Sequence, residues 1–178
     1  IYSFKQQSDG AYAVWYDGAK LISKVAADSL SFIDYKATNF YASWVCLQSI
    51  NELSGFTVKT ADKDYSFGIV YDDSEDAEET YVITYNGKKL VASDFQSFYQ
   101  ECISLACSDY TVDKINAAPD MTFVFTYSDT SRAATSVEFK KASETKYQYS
   151  IDGIDMGKIN SSALNKILKQ VQKLTAEK

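Results

Sequence analysis

The fold prediction rests on the stretch Tyr81-Val82-Ile83-Thr84-Tyr85-Asn86-Gly87-Lys88-Lys89-Leu90. Tyr81, Ile83 and Tyr85 alternate with smaller side chains, which is typical of a strand with one covered and one wetter face. The dipeptide Asn86-Gly87 is typical of a tight hairpin turn. An apolar residue, Leu90, follows the turn. The stretch therefore predicts a strand, a tight turn and a further apolar segment.

Two other parts of the chain repeat this order of features. The copies are Tyr12, Val14, Tyr16, Asp17-Gly18 and Leu21, and then Tyr147, Tyr149, Ile151, Asp152-Gly153 and Met156. The three copies recur at nearly equal intervals, which predicts one strand-rich unit used three times. We expect a single domain built of the units 1–55, 56–118 and 119–178, the first of them incomplete at its N-terminus.

Helical periodicity follows the second and third turns. Apolar residues recur there at spacings of three and four, at Phe95, Phe98, Tyr99 and Cys102, and at Leu164, Ile167, Leu168 and Val171. Residues 25–33 predict a short helix, whereas 39–53 fits either a helix or a buried strand. These patterns predict an α+β fold of repeated strand-strand-strand-helix units, with antiparallel sheets covered on one face by helices.

Composition narrows the class of protein. The chain has 178 residues, 46% of them hydrophobic, which is enough for a substantial core. Its formal net charge of −6 opposes binding to nucleic acid, which needs clustered cations. The chain contains no run of about 18 apolar residues, so its sequence predicts no membrane-spanning helix. The first residue is Ile1 rather than Met, which suggests an upstream leader or anchor, and a membrane is expected as a partner only through that anchor.

The residues available for catalysis are few. The chain has no histidine, so the usual base of nucleophilic triads and the commonest transition-metal ligand are missing. Three cysteines, Cys46, Cys102 and Cys107, fit small buried side chains better than a disulfide framework. We expect a non-catalytic protein without a cofactor. The alternative is a carboxylate-based enzyme that uses Asp94 or Glu101.

An acidic segment, 72–79, lies between two predicted strands. We expect a solvated hairpin tip and no metal site. Asp72, Asp76 and Glu78 have an alternating spacing that leaves a weak cation site as the alternative. The segment lacks the glycine and the final bidentate acid of a calcium-binding EF-hand loop.

The aromatic residues suggest a binding surface. Tyrosine and tryptophan offer a large rigid contact area with a polar tip, and the candidates for ligand binding are Trp15, Tyr16, Trp44 and Tyr99. The alternative is that the alternating tyrosines fill the half-buried face of an antiparallel sheet.

The order of features from Tyr12 onward resembles an uncharacterised family. The likeness rests on 12–21, on the stretch from Ser49-Ile50-Asn51-Glu52-Leu53 to Tyr65-Ser66-Phe67, and on Tyr85-Asn86-Gly87-Lys88-Lys89-Leu90 leading to Phe95, Phe98, Tyr99 and Leu105. These patterns resemble domain-of-unknown-function family 4340. The resemblance implies a bacterial protein anchored on the outer side of the membrane, beside ABC transporters of the gliding-motility type. It implies no site residues.

The function that we expect follows from that resemblance. It is a non-catalytic, extracytoplasmic and membrane-anchored accessory or interaction module that assists a membrane ABC transporter. Its expected partners are transporter subunits or a component of the cell envelope. The alternative function is a binding protein for glycan, peptide or cell-wall fragments, with an aromatic-lined surface as the binding site.

Overall fold

The computed structural model describes residues 2–16, 22–26, 29–30 and 43–176. The chain divides into two compact units, 1–41 and 42–178. This division falls inside the first of the three units that the sequence suggests, and each compact unit has its own antiparallel sheet.

The first compact unit contains a three-stranded sheet. Its strands are β1 (Tyr2–Gln6), β2 (Tyr12–Tyr16) and β3 (Ile22–Val25), in the order β1-β2-β3. Lys24 pairs with Asp9, whose carboxylate also accepts the backbone N–H of Ala11 and so fixes the turn between β1 and β2. The predicted turn at Asp17-Gly18 lies outside the described residues. So does most of the predicted helix 25–33, and Val25 itself ends β3.

The second compact unit contains eight strands and two helices. They are β4 (Leu53–Thr60), β5 (Asp64–Tyr71), β6 (Tyr81–Tyr85), β7 (Lys88–Leu90), α1 (Ala92–Ile103), β8 (Met121–Tyr127), β9 (Thr135–Lys141), β10 (Lys146–Ile151), β11 (Ile154–Asn160) and α2 (Ser161–Leu174). The strands form one antiparallel sheet in the order β11-β10-β9-β8-β4-β5-β6-β7. The α+β class with antiparallel sheets is therefore confirmed.

Two hairpins of this sheet have the tight turns that the sequence predicts. Asn86 and Gly87 have φ of 50° and 74°, and Asp152 and Gly153 have φ of 48° and 82°. Positive φ at both central residues matches the right-handed twist of the flanking strands. The chain therefore reverses, and the segment after each turn forms a strand of its own, so that four strands precede each helix instead of three.

Both helices pack on one face of the eight-stranded sheet. The buried residues of α1 are Phe95, Phe98, Tyr99 and Cys102, and those of α2 are Leu164, Ile167 and Val171. They join a single core with the inward side chains of the strands. Phe56 lies at its centre, with its ring centroid 5.0 Å from that of Phe125 and 5.3 Å from that of Tyr99. The predicted helical stripes are confirmed as core.

The two helices run in opposite directions. Glu101, near the end of α1, pairs with Lys166 in the first half of α2 at 2.7 Å. Asp94, in the first turn of α1, lines the same cavity as Leu174, the last residue of α2. The start of α1 and the end of α2 therefore meet near the β6–β7 hairpin, and this meeting point positions the candidate site.

The described part of the ambiguous stretch 39–53 that precedes β4 is neither a long helix nor a sheet strand. Trp44 forms an isolated bridge with Ala106, and the chain then makes a short 3-10 helix, Ile50–Glu52, before β4. Arg132 holds this helix to the sheet, because its guanidinium pairs with Glu52 at 2.7 Å and lies 3.5 Å from the ring centroid of Tyr127.

Candidate ligand-binding cavity

A cavity of about 420 Å³ opens beside the β6–β7 hairpin. Its wall combines the end of β6, the hairpin turn, β7, the start of α1 and the end of α2, together with Lys63 from the β4–β5 turn. A volume of this size lies within the range of small-molecule pockets, about 300–1,000 Å³. We call it the hairpin cavity.

Tyr85 is the most buried polar side chain of the hairpin cavity. It is the last residue of β6 and is 8% exposed, because its ring packs against Phe67 with centroids 5.4 Å apart. The hydroxyl oxygen is buried and makes no hydrogen bond with any residue that the structure describes. A buried hydroxyl without a partner is unusual, since most buried polar atoms are hydrogen-bonded.

Lys63 brings a positive charge next to this hydroxyl-bearing ring. Its ammonium lies 5.0 Å from the ring centroid of Tyr65 and 5.9 Å from that of Tyr85. The hydroxyl of Thr60 fixes the turn, because it accepts the backbone N–H of Lys63 at 3.1 Å and donates to the carbonyl of Lys63 at 2.8 Å. Cation–π contact with two rings favours this position of the ammonium.

The remaining wall is basic and apolar. Lys88 and Lys89 add two ammonium groups, and Lys89 pairs with Glu79 at 2.5 Å. Asp94 is the one acidic residue among those that line the cavity in the described chain. The apolar part of the wall comes from Leu90, Val91, Leu174 and Ala176. The cavity thus combines an excess of positive charge with an aliphatic surface.

This arrangement can hold an anion that carries an apolar group. Lysine and tyrosine donate hydrogen bonds to an anionic group, and aliphatic side chains bury a hydrocarbon part. Within the described ranges, no three acidic or cysteine side chains come together in a way that could hold a metal ion.

The four predicted ligand-binding aromatics do not form this site. Trp15 and Tyr16 lie in β2 of the first compact unit, and Trp44 and Tyr99 lie in the second. Trp44 is 48% exposed, but Tyr99 is only 3% exposed and belongs to the core. The hydroxyl of Tyr99 donates to the carbonyl of Gln48 at 2.8 Å, and burial raises its pKa. Tyr99 therefore has almost no surface to offer a ligand.

The acidic segment 72–79 forms the exposed connection between β5 and β6. Asp72 accepts the backbone N–H of Ser74 at 3.0 Å, and this hydrogen bond lowers the pKa of its carboxyl group. Asp73 accepts the hydroxyl of Tyr71 at 3.0 Å. The predicted cation ligands Asp72, Asp76 and Glu78 are not gathered into a group that could hold a metal ion in the described structure.

The three cysteines are free thiols. Cys102 is fully buried in α1, and burial raises the pKa of its thiol well above the usual value. Burial also raises the pKa of Cys46, which is partly covered. Thiols with raised pKa values are poor nucleophiles at neutral pH. The expectation of a small buried side chain is therefore confirmed for Cys102, whereas Cys46 and Cys107 are only partly buried.

Sequence patterns indicate single residues of the hairpin cavity but not their assembly. Tyr85 is predicted as a strand residue, Leu174 continues the predicted apolar stripe of the last helix, and Asp94 is a candidate carboxylate. Lys63 carries no signal, because it lies far from these residues in the chain. The one local clue is Lys88-Lys89 directly after the turn, where two cations follow a buried tyrosine.

Comparison with known proteins gives no relative for this chain. No protein-family model, no curated protein and no solved structure matches it. None of the described helices is long and apolar enough to cross a membrane.

Proposed function

We propose that this chain is a non-catalytic binding module and that the hairpin cavity is its ligand-binding site. One observation carries the proposal: Tyr85, whose buried hydroxyl has no partner among the described residues, lines a cavity of about 420 Å³ that lysines also line. A buried polar group without a hydrogen bond destabilises a fold by about 1–3 kcal/mol. A site that binds a ligand has a reason to keep such a group.

A thermal-shift screen tests this function. The probes are small carboxylates, phosphate esters, neutral sugars and short peptides, each at a concentration up to saturation. A ligand at about 100 times its dissociation constant adds about 2.7 kcal/mol to the free energy of unfolding, which raises the melting temperature by several degrees. Stabilisation that is lost in Leu174→Trp, which fills part of the cavity with a bulky uncharged ring, supports the proposal. A flat screen contradicts it.

The variant Trp44→Ala serves as the matched control. Trp44 is half-exposed and does not line the hairpin cavity, so its removal tests the alternative in which glycan, peptide or cell-wall fragments bind to surface aromatics. If stabilisation by a ligand disappears in Trp44→Ala and persists in Leu174→Trp, the aromatic surface is the binding site and the hairpin cavity is not.

The second candidate function is the extracytoplasmic accessory role beside a membrane ABC transporter. It is supported by the resemblance to the family named above, and one stretch that carries the resemblance, 85–90, contributes five residues to the cavity wall. Co-purification of the full-length protein from its native membrane tests this role. Recovery of transporter subunits supports it, and their repeated absence after crosslinking counts against it.

We also propose that the second compact unit contains an internal repeat. Residues 53–103 and 121–174 each contain four antiparallel strands followed by a helix, and each has its tight turn between the third and fourth strands. This common order favours duplication of one unit. Superposition of the two segments in a crystal structure of the chain tests the duplication, because unrelated segments would not align strand for strand through the helix.

A further inference from the structure

We infer that the ligand of the hairpin cavity is a small organic anion with an aliphatic tail, whose anionic head accepts a hydrogen bond from the Tyr85 hydroxyl and pairs with Lys63. The inference rests on the proposed function, since it names the ligand class of the same cavity.

The head group is assigned from Tyr85 and Lys63. A tyrosine hydroxyl is a hydrogen-bond donor, and such a donor forms its strongest hydrogen bonds with an ionised acceptor. Lys63 contacts the rings of Tyr65 and Tyr85, and within the described chain no carboxylate pairs with its ammonium. A hydrogen-bond donor at the end of β6 and a cation without an acidic partner in the β4–β5 turn thus lie next to each other.

The net positive charge of the cavity wall disfavours a cationic ligand. Lys63, Lys88 and Lys89 contribute three positive charges, against the single negative charge of Asp94 among the described lining residues. Glu79 pairs with Lys89 but does not line this cavity. A ligand ammonium group would meet repulsion from the ammonium of Lys63, whereas an anion would meet attraction.

The tail is assigned from the apolar wall. Leu90 and Leu174 approach the cavity from β7 and from the end of α2, and Val91 is 63% exposed at its rim. An inorganic phosphate or sulfate ion would leave this aliphatic surface and most of the 420 Å³ to water. An alkyl chain of a few carbons buries that surface, at about 0.8 kcal/mol for each methylene group.

The substitution Tyr85→Phe distinguishes a ligand-binding role of the hydroxyl from a structural role. Tyr85→Phe removes a hydroxyl that has no partner in the described structure, so the melting temperature of the free protein stays unchanged or rises. The same change weakens binding of the anion. Tyr99→Phe is the matched control, because the Tyr99 hydroxyl donates to Gln48 inside the core. It lowers the melting temperature and leaves anion affinity unchanged.

Calorimetric titration with four probes of one chain length tests the inference. The probes are hexanoate, hexyl phosphate, hexanamide and hexylammonium, used with the wild type, Tyr85→Phe, Lys63→Gln and Tyr99→Phe. We expect saturable binding of hexanoate or hexyl phosphate, and affinity at least about tenfold weaker for hexanamide and hexylammonium. The stronger of the two anions identifies the head group as carboxylate or phosphate monoester.

The variants distinguish this inference from the proposed function. Tyr85→Phe and Lys63→Gln are each expected to weaken anion binding by about tenfold, and Tyr99→Phe by less than about twofold. Hexanamide binding as tightly as hexanoate, or full anion affinity in Tyr85→Phe, overturns the inference. If no six-carbon probe binds but the thermal-shift screen yields a neutral ligand whose binding is lost in Leu174→Trp, the inference fails and the proposed function stands.

Discussion

The side-chain amide of Gln148 forms two hydrogen bonds with the backbone of Asp113. Its oxygen accepts the N–H of Asp113 at 2.6 Å, and its nitrogen donates to the carbonyl of Asp113 at 3.0 Å. Gln148 is 2% exposed in β10, and the carboxylate of Asp113 pairs with Lys158 of β11 at 2.8 Å. A segment without regular secondary structure is thus fastened to two strands at the edge of the sheet.

The substitution Gln148→Glu tests this attachment. It keeps the size of the side chain but places a carboxylate oxygen against the carbonyl of Asp113, so we expect the free energy of unfolding to fall by about 2–3 kcal/mol in urea denaturation. Gln100→Glu, on the exposed side of α1, is the control and should change it by less than about 0.5 kcal/mol. Equal effects of the two substitutions would contradict a specific contact.

A substitution at Gly157 in β11 tests close packing at this edge of the sheet, and a substitution at Gly68 in the interior strand β5 is its comparison. A Cβ at Gly157 would lie 2.7 Å from the carbonyl oxygen of Asp109 and 2.8 Å from the sulfur of Cys107, whereas a Cβ at Gly68 would lie 2.7 Å from the hydroxyl of Thr84. The Thr84 hydroxyl can rotate away, but the backbone of Asp109 is held by its pairing with Lys158. We expect Gly157→Ala to destabilise by about 1–3 kcal/mol and Gly68→Ala by less than 1 kcal/mol. The reverse order in thermal denaturation would show that the edge is loosely packed.

Stability should fall in acid because several carboxylates are hydrogen-bonded in turns. Asp129 accepts both the hydroxyl and the N–H of Ser131, and Asp109 accepts the N–H of Thr111, which lowers the pKa of each carboxyl below its usual value of 3.8. A lowered folded pKa gives stability that is fully present above about pH 5 and is lost as the pH falls through and below 3.8.

The variant Asp129→Asn isolates one of these carboxylates. We expect it to be less stable than the wild type at pH 7, and the difference to be smaller at pH 2, because the wild-type carboxyl takes up its proton as the pH falls below 3.8. Urea midpoints measured across this range check the expectation. A difference that is the same at both pH values would exclude the ionised form as the stabilising one.

The thiol of Cys102 should resist modification in the folded protein. It is buried in α1 with a raised pKa, so both access and thiolate formation are suppressed. We expect a thiol reagent to label Cys102 at least about a hundredfold more slowly than the denatured chain, with the rate set by unfolding. Cys102→Ala should leave the labelling of the other two cysteines unchanged. Rapid labelling of Cys102 in the native protein would contradict the packing of α1.

The local features of the second compact unit could be predicted from the sequence, because they depend on neighbours in the chain. Alternation indicates the strands that contain Tyr85 and Tyr149, and the dipeptides Asn86-Gly87 and Asp152-Gly153 indicate two tight turns. Helical spacing identified the buried stripes. For Tyr99, the helical spacing predicts burial, and the side chain is indeed in the core. The ligand-binding interpretation of its ring conflicts with this burial.

The features of the second compact unit that sequence patterns do not indicate depend on contacts between residues that are distant in the chain. The strand β7 has three residues, too few for periodicity to reveal, and it forms because the preceding turn returns the chain to β6. The pairing of β4 with β8 joins the two halves of the sheet across a long separation. The hairpin cavity requires this assembly, since it brings Lys63, Tyr85 and Leu174 together from three parts of the chain.

The most direct test of the hairpin cavity as a ligand-binding site is a crystal of this chain soaked with 6-bromohexanoate and measured at the bromine absorption edge. Our account predicts an anomalous peak inside the cavity, near Leu90 and Leu174, with the carboxylate at the Tyr85 hydroxyl and the Lys63 ammonium. Bromine bound at another surface, with the cavity filled only by water at saturating ligand, would contradict it.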